Sequence, residues 1–313
     1  SRFAEETVSE AQRKYIGTLW NTYAFFTLYA EIDKYNPADY DLKDCKLSLM
    51  DKWILAKLNT LKGCVDSELE EYKIFESARR IQDFTDVLSN WYVRRGRDRY
   101  WGSEMTEDKA AAYTTLYTVL VTLSKLTAPF TPFIAEMIYQ NLVVNFFPAA
   151  PGSVHLCSFP QWNEDDVNTD LEIAMDEVLQ IVNLGRAARN AGNLKNRQPL
   201  SKMYVVSERK IELSEEEKSI VLDELNVKEF KVAEDAELYI SYKLKPQLKT
   251  LGPKYGKLLG RISQFLATCN AKEVVSAVKN DGSYQIPDTE ITLLYEDLQI
   301  FTQSANVYVA AED

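Results

Sequence analysis

Between Glu76 and Trp101 the chain reads ESARRIQDFTDVLSNWYVRRGRDRYW, a stretch with no proline and a single glycine. It constrains the fold more than any other segment. Ile81, Phe84 and Leu88 recur at helical spacing, and at about 100° per residue Trp91 continues the same apolar stripe. Asn90, Arg94, Arg97 and Trp101 fall on the opposite side, while Arg95 and Arg99 come back to the buried side or its edge. A helix with so large an anchor has to pack against other helices, which leaves a basic, aromatic edge outside. Trp91 is expected in the core. Arg95 and Arg99 suit pairing with half-buried acids as well as any contact with a ligand. Arg94 and Arg97 have the better functional case, because guanidinium grips phosphate with two hydrogen bonds and also stacks on bases.

The neighbouring segments supply the partners. Residues 3–35 predict one long helix ended by Asn36-Pro37, with Tyr15, Ile16, Leu19, Tyr23 and Phe26 on one arc. Its polar side carries Lys14 and Asn21, seven residues apart, with Trp20 at the edge. Ser48-Leu-Met-Asp51 has the form of a capping box with Asp in place of Glu, opening a second helix that runs to about Tyr72. The third helix covers about 74–100. A fourth spans 107–127 with the stripe Tyr113, Leu116, Leu120 and Leu123. Ala128-Pro-Phe-Thr-Pro132 breaks it, and a fifth follows over 133–144. Long amphipathic helices with short loops predict a helix bundle over residues 1–147. Residues 148–199 form a proline-rich connector and a bridging helix at 168–191. From Leu200 short β-branched and aromatic runs (KMYVVS, VKEFKV, LYISYKL, ITLLY, LQIFTQ, NVYVAAE) alternate with helices at about 214–225, 257–269 and 271–278. That texture predicts a small α+β domain over 200–313.

The formal net charge of −11 argues against a generic nucleic-acid binder, but the basic residues are segregated. From Arg186 to Lys210 seven basic residues, Lys195 and Arg197 among them, face one acid, Glu208. From Lys243 to Lys279 eight face Glu273 alone, and two of them, Lys254 and Lys257, lie in the turn GPKYGK. No glycine-rich phosphate loop is present. The one histidine, His155, reads as a surface or packing residue. Four scattered cysteines fit a reducing cytoplasm and do not form a zinc motif. With no long apolar run, no membrane span is expected.

SNWYVRRGRDRYW resembles the signature of the anticodon-binding bundle of isoleucyl-tRNA synthetases. RKYIGTLWNTYAFFTLYAEID, from Arg13, resembles that bundle's first helix, and NLKNRQPLSKMYV, from Asn193, resembles the entry to the C-terminal domain. The valyl relatives tend to have Asp-Trp-Tyr without the following Arg-Arg. The resemblance implies an anticodon-binding α-helical bundle followed by a small α+β domain of the metal-free branch. Its parent enzyme esterifies isoleucine to its tRNA, using ATP with magnesium. Neither His-Ile-Gly-His nor Lys-Met-Ser-Lys-Ser occurs here. The catalytic and editing domains are therefore expected N-terminal to Ser1, with no cofactor and no catalysis in this chain. The expected partners are the anticodon stem-loop of isoleucine tRNA and those absent domains. The candidate RNA contacts are Lys14, Trp20, Asn21, Asn90, Arg94, Arg97, Lys195, Arg197, Lys254 and Lys257. Two alternatives stay open: the same region of a valyl, leucyl or methionyl enzyme, and a helical protein-interaction module.

Overall fold

The computed structural model describes residues 4–206, 211–232 and 241–303. It forms two compact units, residues 1–175 and 176–313.

The first unit is a helix bundle. Helix α1 (residues 5–33) is built from Glu5–Ala11, a π-helical stretch Gln12–Gly17, and Thr18–Asp33. It stops two residues earlier than the sequence predicts, where Lys34 takes the left-handed conformation at φ 56°. Helix α2 is Leu49–Glu70 and opens on the expected capping box, Ser48 and Asp51 each receiving a backbone N–H of the other. Helix α3 (residues 74–100) is α-helical over Ile74–Val87, π-helical over Leu88–Val93, and tightens to a 3₁₀ turn over Arg97–Tyr100. Helix α4 is Glu107–Thr127, and α5 (residues 132–144) ends in a π-helical Gln140–Val144.

The π-helical stretch of α3 sits deep in the bundle. Trp91, Tyr92 and Val93 are consecutive, and all three are buried. Around them lies an aromatic core. Tyr35 stacks on Tyr113 at 4.9 Å, and Tyr100 meets the same ring edge-on at 4.9 Å. Asp33 neutralises the buried Lys109 at 2.6 Å and accepts a hydrogen bond from Tyr113.

The proline-rich stretch is fastened to the bundle. Asn59 gives its side-chain N–H to the Asn163 carbonyl and accepts that residue's backbone N–H, at 2.6 and 3.0 Å. Trp162 lies against Gly63 so closely that a Cβ there would sit 3.0 Å from its ring. Glu136 accepts from the backbone N–H of Val154 at 2.9 Å. Helix α6 (Thr169–Ala191) follows.

In the second unit β1 (Met203–Val205) pairs in parallel with β2 (Phe230–Val232), flanking helix α7 (Glu215–Leu225). Strand β3 (Ser241–Pro246) runs antiparallel to β6 (Leu298–Gln303). Helices α8 (Leu248–Tyr255), α9 (Leu259–Thr268) and α10 (Ala271–Asn280) lie between them, with the hairpin β4 (Ser283–Gln285) and β5 (Thr292–Leu294). Leu244, Leu251, Ile262, Val274, Val275 and Leu293 form its core. The GPKYGK turn is a correction: those residues finish α8, with Pro253 inside it, and enter a 3₁₀ turn over Gly256–Leu258. The predicted strand NVYVAAE lies outside the described residues.

The strongest fastening in the bundle joins α2 to the end of α3. Arg99 grips Asp51 through both guanidinium nitrogens at 2.8 Å, Tyr92 donates to the same carboxylate at 2.5 Å, and Asp51 is fully buried. Burial alone would raise the Asp51 pKa. The Arg99 guanidinium and the Tyr92 and Ser48 hydroxyls outweigh it and hold the carboxyl below its usual range. Arg99→Ala leaves an uncompensated buried charge and should cost about 3–5 kcal/mol in denaturant unfolding. Since the folded pKa of Asp51 is depressed, its contribution is complete above the unfolded value of about 3.9 and is lost as pH falls through the folded one. Melting temperature should therefore drop below about pH 4, and less steeply in Asp51→Asn.

Candidate nucleic-acid interface

Helices α1 and α3 lie side by side and run in the same direction. Arg97 sits over the ring of Phe25 at 6.0 Å, and Tyr100 lies 5.1 Å from Phe25 and 6.2 Å from Tyr29. Toward the other end, Lys14 is close enough to Asp86 to act on its charge. Numbers rise together along the pair. Arg94, one turn before Arg97, therefore stands level with Asn21, one turn before Phe25. Asn21, Asn90, Arg94, Arg97 and Trp101 are all exposed, Trp101 to 62%. Trp20 is 45% exposed and leans on Tyr23.

The two arginines are held differently. Arg94 donates its Nε–H to the Asn90 carbonyl at 2.7 Å and lies 5.8 Å from the Trp91 ring centre. Arg97 forms no salt bridge among the described residues; its contact is the Phe25 ring. Both cations thus lie against aromatic faces, and the Phe25 ring orients Arg97 without neutralising it. Arg99 turns inward to Asp51 and Asp108, as the helical phase predicts. The strip becomes acidic at its far end, where Lys14 is bound to Glu10 at 2.7 Å and faces Asp86. Lys14 is thus already paired with a carboxylate. Phe25, which positions Arg97, was not singled out by the sequence. Its signal was the four-residue spacing from Asn21.

The second unit divides its basic residues between structure and surface. Arg189 is 3% exposed and donates to the carbonyls of Lys195, Gln198, Leu225 and Asn226 at 2.5–3.1 Å. It satisfies carbonyls at the end of α7 and in the turns after α6, and burial lowers its pKa. Arg186 pairs with Glu224. Lys195 and Arg197 are exposed and make no salt bridge among the described residues. Arg209 and Lys210 lie outside the described residues. Lys254 reaches Asp297 at 3.1 Å and Glu296 at 3.4 Å, so its charge ties α8 to the turn before β6. Lys257 is exposed. No helix among the described residues is long and apolar enough to cross a membrane.

Residues 51–204 match the model of the family "anticodon-binding domain of tRNA ligase". That stretch belongs to this anticodon-binding family. The chain is 46% identical to an isoleucine–tRNA ligase of Clostridium acetobutylicum over 99% of its own length and 30% of the relative's. It is 44% identical to that of Clostridium novyi over the same shares, and 43% identical to isoleucine–tRNA ligase 2 of Bacillus cereus over 96% of this chain and 28% of the relative. It spans about 30% of the length of these curated relatives. It corresponds to the anticodon-binding part of isoleucine–tRNA ligases. The architecture agrees, an α-helical bundle followed by a small α+β domain.

The two sides of α3 should separate in mutants of this anticodon-binding domain. Trp91→Ala removes a buried aromatic and should cost about 3–5 kcal/mol. Arg94→Ala and Arg97→Ala alter exposed side chains and should leave stability within about 0.5 kcal/mol, read by thermal melts.

Proposed function

We propose that this chain holds the anticodon stem-loop of isoleucine tRNA, within a ligase that attaches isoleucine to that tRNA using ATP with magnesium in the cytoplasm. The observation that carries the reading is the exposed α1–α3 strip. Two arginines mounted on aromatic rings stand level with an exposed asparagine, and the arginines lie within the residues that match the family. Anticodon bases are unstacked, so they offer faces and edges to side chains. The amide of Asn21 both donates and accepts, which suits a base edge. Arg94 and Arg97 suit phosphates or a stacked base, and Trp20 and Trp101 offer rings at the borders of the strip. Asn90 lies one turn before Arg94 and fixes that arginine through its carbonyl. Lys195, Arg197 and Lys257 are assigned to the backbone of the tRNA. Lys254, held by two acids, contributes less. Adenylation and the ATP it consumes are assigned to other domains of such a ligase, and no step is assigned to these residues.

Filter binding of the chain to isoleucine tRNA, bulk tRNA and single purified tRNAs tests this. Isoleucine tRNA should bind more tightly than the others. Equal affinity for all would leave only charge, and preference for valine, leucine or methionine tRNA would move the chain to a sister ligase. The double variant Arg94→Ala/Arg97→Ala should weaken binding. Each arginine on a phosphate should flatten the slope of log affinity against log salt by about 0.7–0.9. Unchanged affinity in the double variant would remove the strip from the RNA surface.

A further inference from the structure

We propose that the outer face of the β3–β6 ribbon is a second RNA contact, where an unpaired nucleobase stacks on Phe301 and Lys243 and Lys245 hold the adjoining phosphates. The register decides which residues share this face. Lys243 stands opposite Phe301, and Lys245 opposite Gln299. The alternate residues, Tyr242, Leu244, Leu298 and Ile300, belong to or pack on the core of the second unit. The pleat therefore sends Lys243, Lys245, Gln299 and Phe301 outward.

Phe301 has no part in that core and is 45% exposed. The Lys245 ammonium stands 5.4 Å from its ring centre. Neither lysine forms a salt bridge among the described residues. The acids that precede β6, Glu296 and Asp297, are both bonded by Lys254. A chain of net charge −11 thus presents here a phenyl ring flanked by two cations. Along the strand those cations are about 6.6 Å apart, of the order of successive phosphates in an extended single strand. An aromatic platform beside lysines is the arrangement that holds single strands with little sequence preference. An acidic protein would use the lysines and leave the ring without a purpose.

The inference rests on the reading that RNA is the partner, but the surface is separate from the α1–α3 strip. The test uses the whole chain and a twelve-nucleotide oligouridylate carrying one central 2-aminopurine, whose fluorescence falls when it stacks. The chain should quench the probe. Phe301→Leu keeps apolar bulk and removes the ring. It should abolish the quenching and weaken binding at least about fivefold, with the salt slope unchanged. Lys243→Gln and Lys245→Gln give a reading independent of Phe301, and each should flatten the slope by about 0.7. Arg94→Ala/Arg97→Ala should keep the quenching, which separates this contact from the stem-loop site. No binding of the probe, full quenching by Phe301→Leu, or displacement by polyglutamate equally from both proteins would overturn the proposal.

Discussion

Asp51 does two jobs with one carboxylate, and the bundle depends on both. It closes the capping box that starts α2, and it anchors Arg99 and Tyr92 from the end of α3. A buried carboxylate on its own is costly, so the pair is tolerable only because the bidentate guanidinium and two hydroxyls satisfy it together. The pair fixes the rotation of α3 about its axis. With Arg99 turned in, Arg97 two residues earlier and Arg94 five earlier are turned out. The same constraint that stabilises the bundle therefore presents the basic edge proposed to meet RNA.

Much of this was legible because helical periodicity is a local signal. The capping box, the bounds of α4, the inward turn of Arg99 and the exposed set Asn90, Arg94, Arg97 and Trp101 all follow from spacing. The π-helical stretch Leu88–Val93 did not, since nothing in LSNWYV distinguishes it from an ordinary turn. Tyrosine contacts such as Tyr35 on Tyr113, 78 positions apart in sequence, are equally invisible to local reading. In the second unit the Pro253 turn failed for a related reason. A proline is tolerated in a short helix when packing holds the ends, and Leu251 is fully buried there.

Charge segregation was the weaker guide. Counting lysines and arginines does not separate surface from structure. Arg189 is buried on carbonyls, Arg186 and Lys254 are spent on acids, and Lys14 is paired with Glu10. Arg97 rests on a ring, and Lys243 and Lys245 stand on an outward strand face. In a protein of net charge −11, such placement decides where positive potential survives at the surface.

Arginine-selective labelling with phenylglyoxal, read residue by residue by mass spectrometry with and without the isoleucine anticodon stem-loop, tests the central claim directly. Arg94 and Arg97 should react in the free protein and be protected by the RNA, while Arg99, closed on Asp51, should react in neither state. Equal labelling of Arg94 and Arg97 with and without RNA, or ready labelling of Arg99 in the folded protein, would contradict the account.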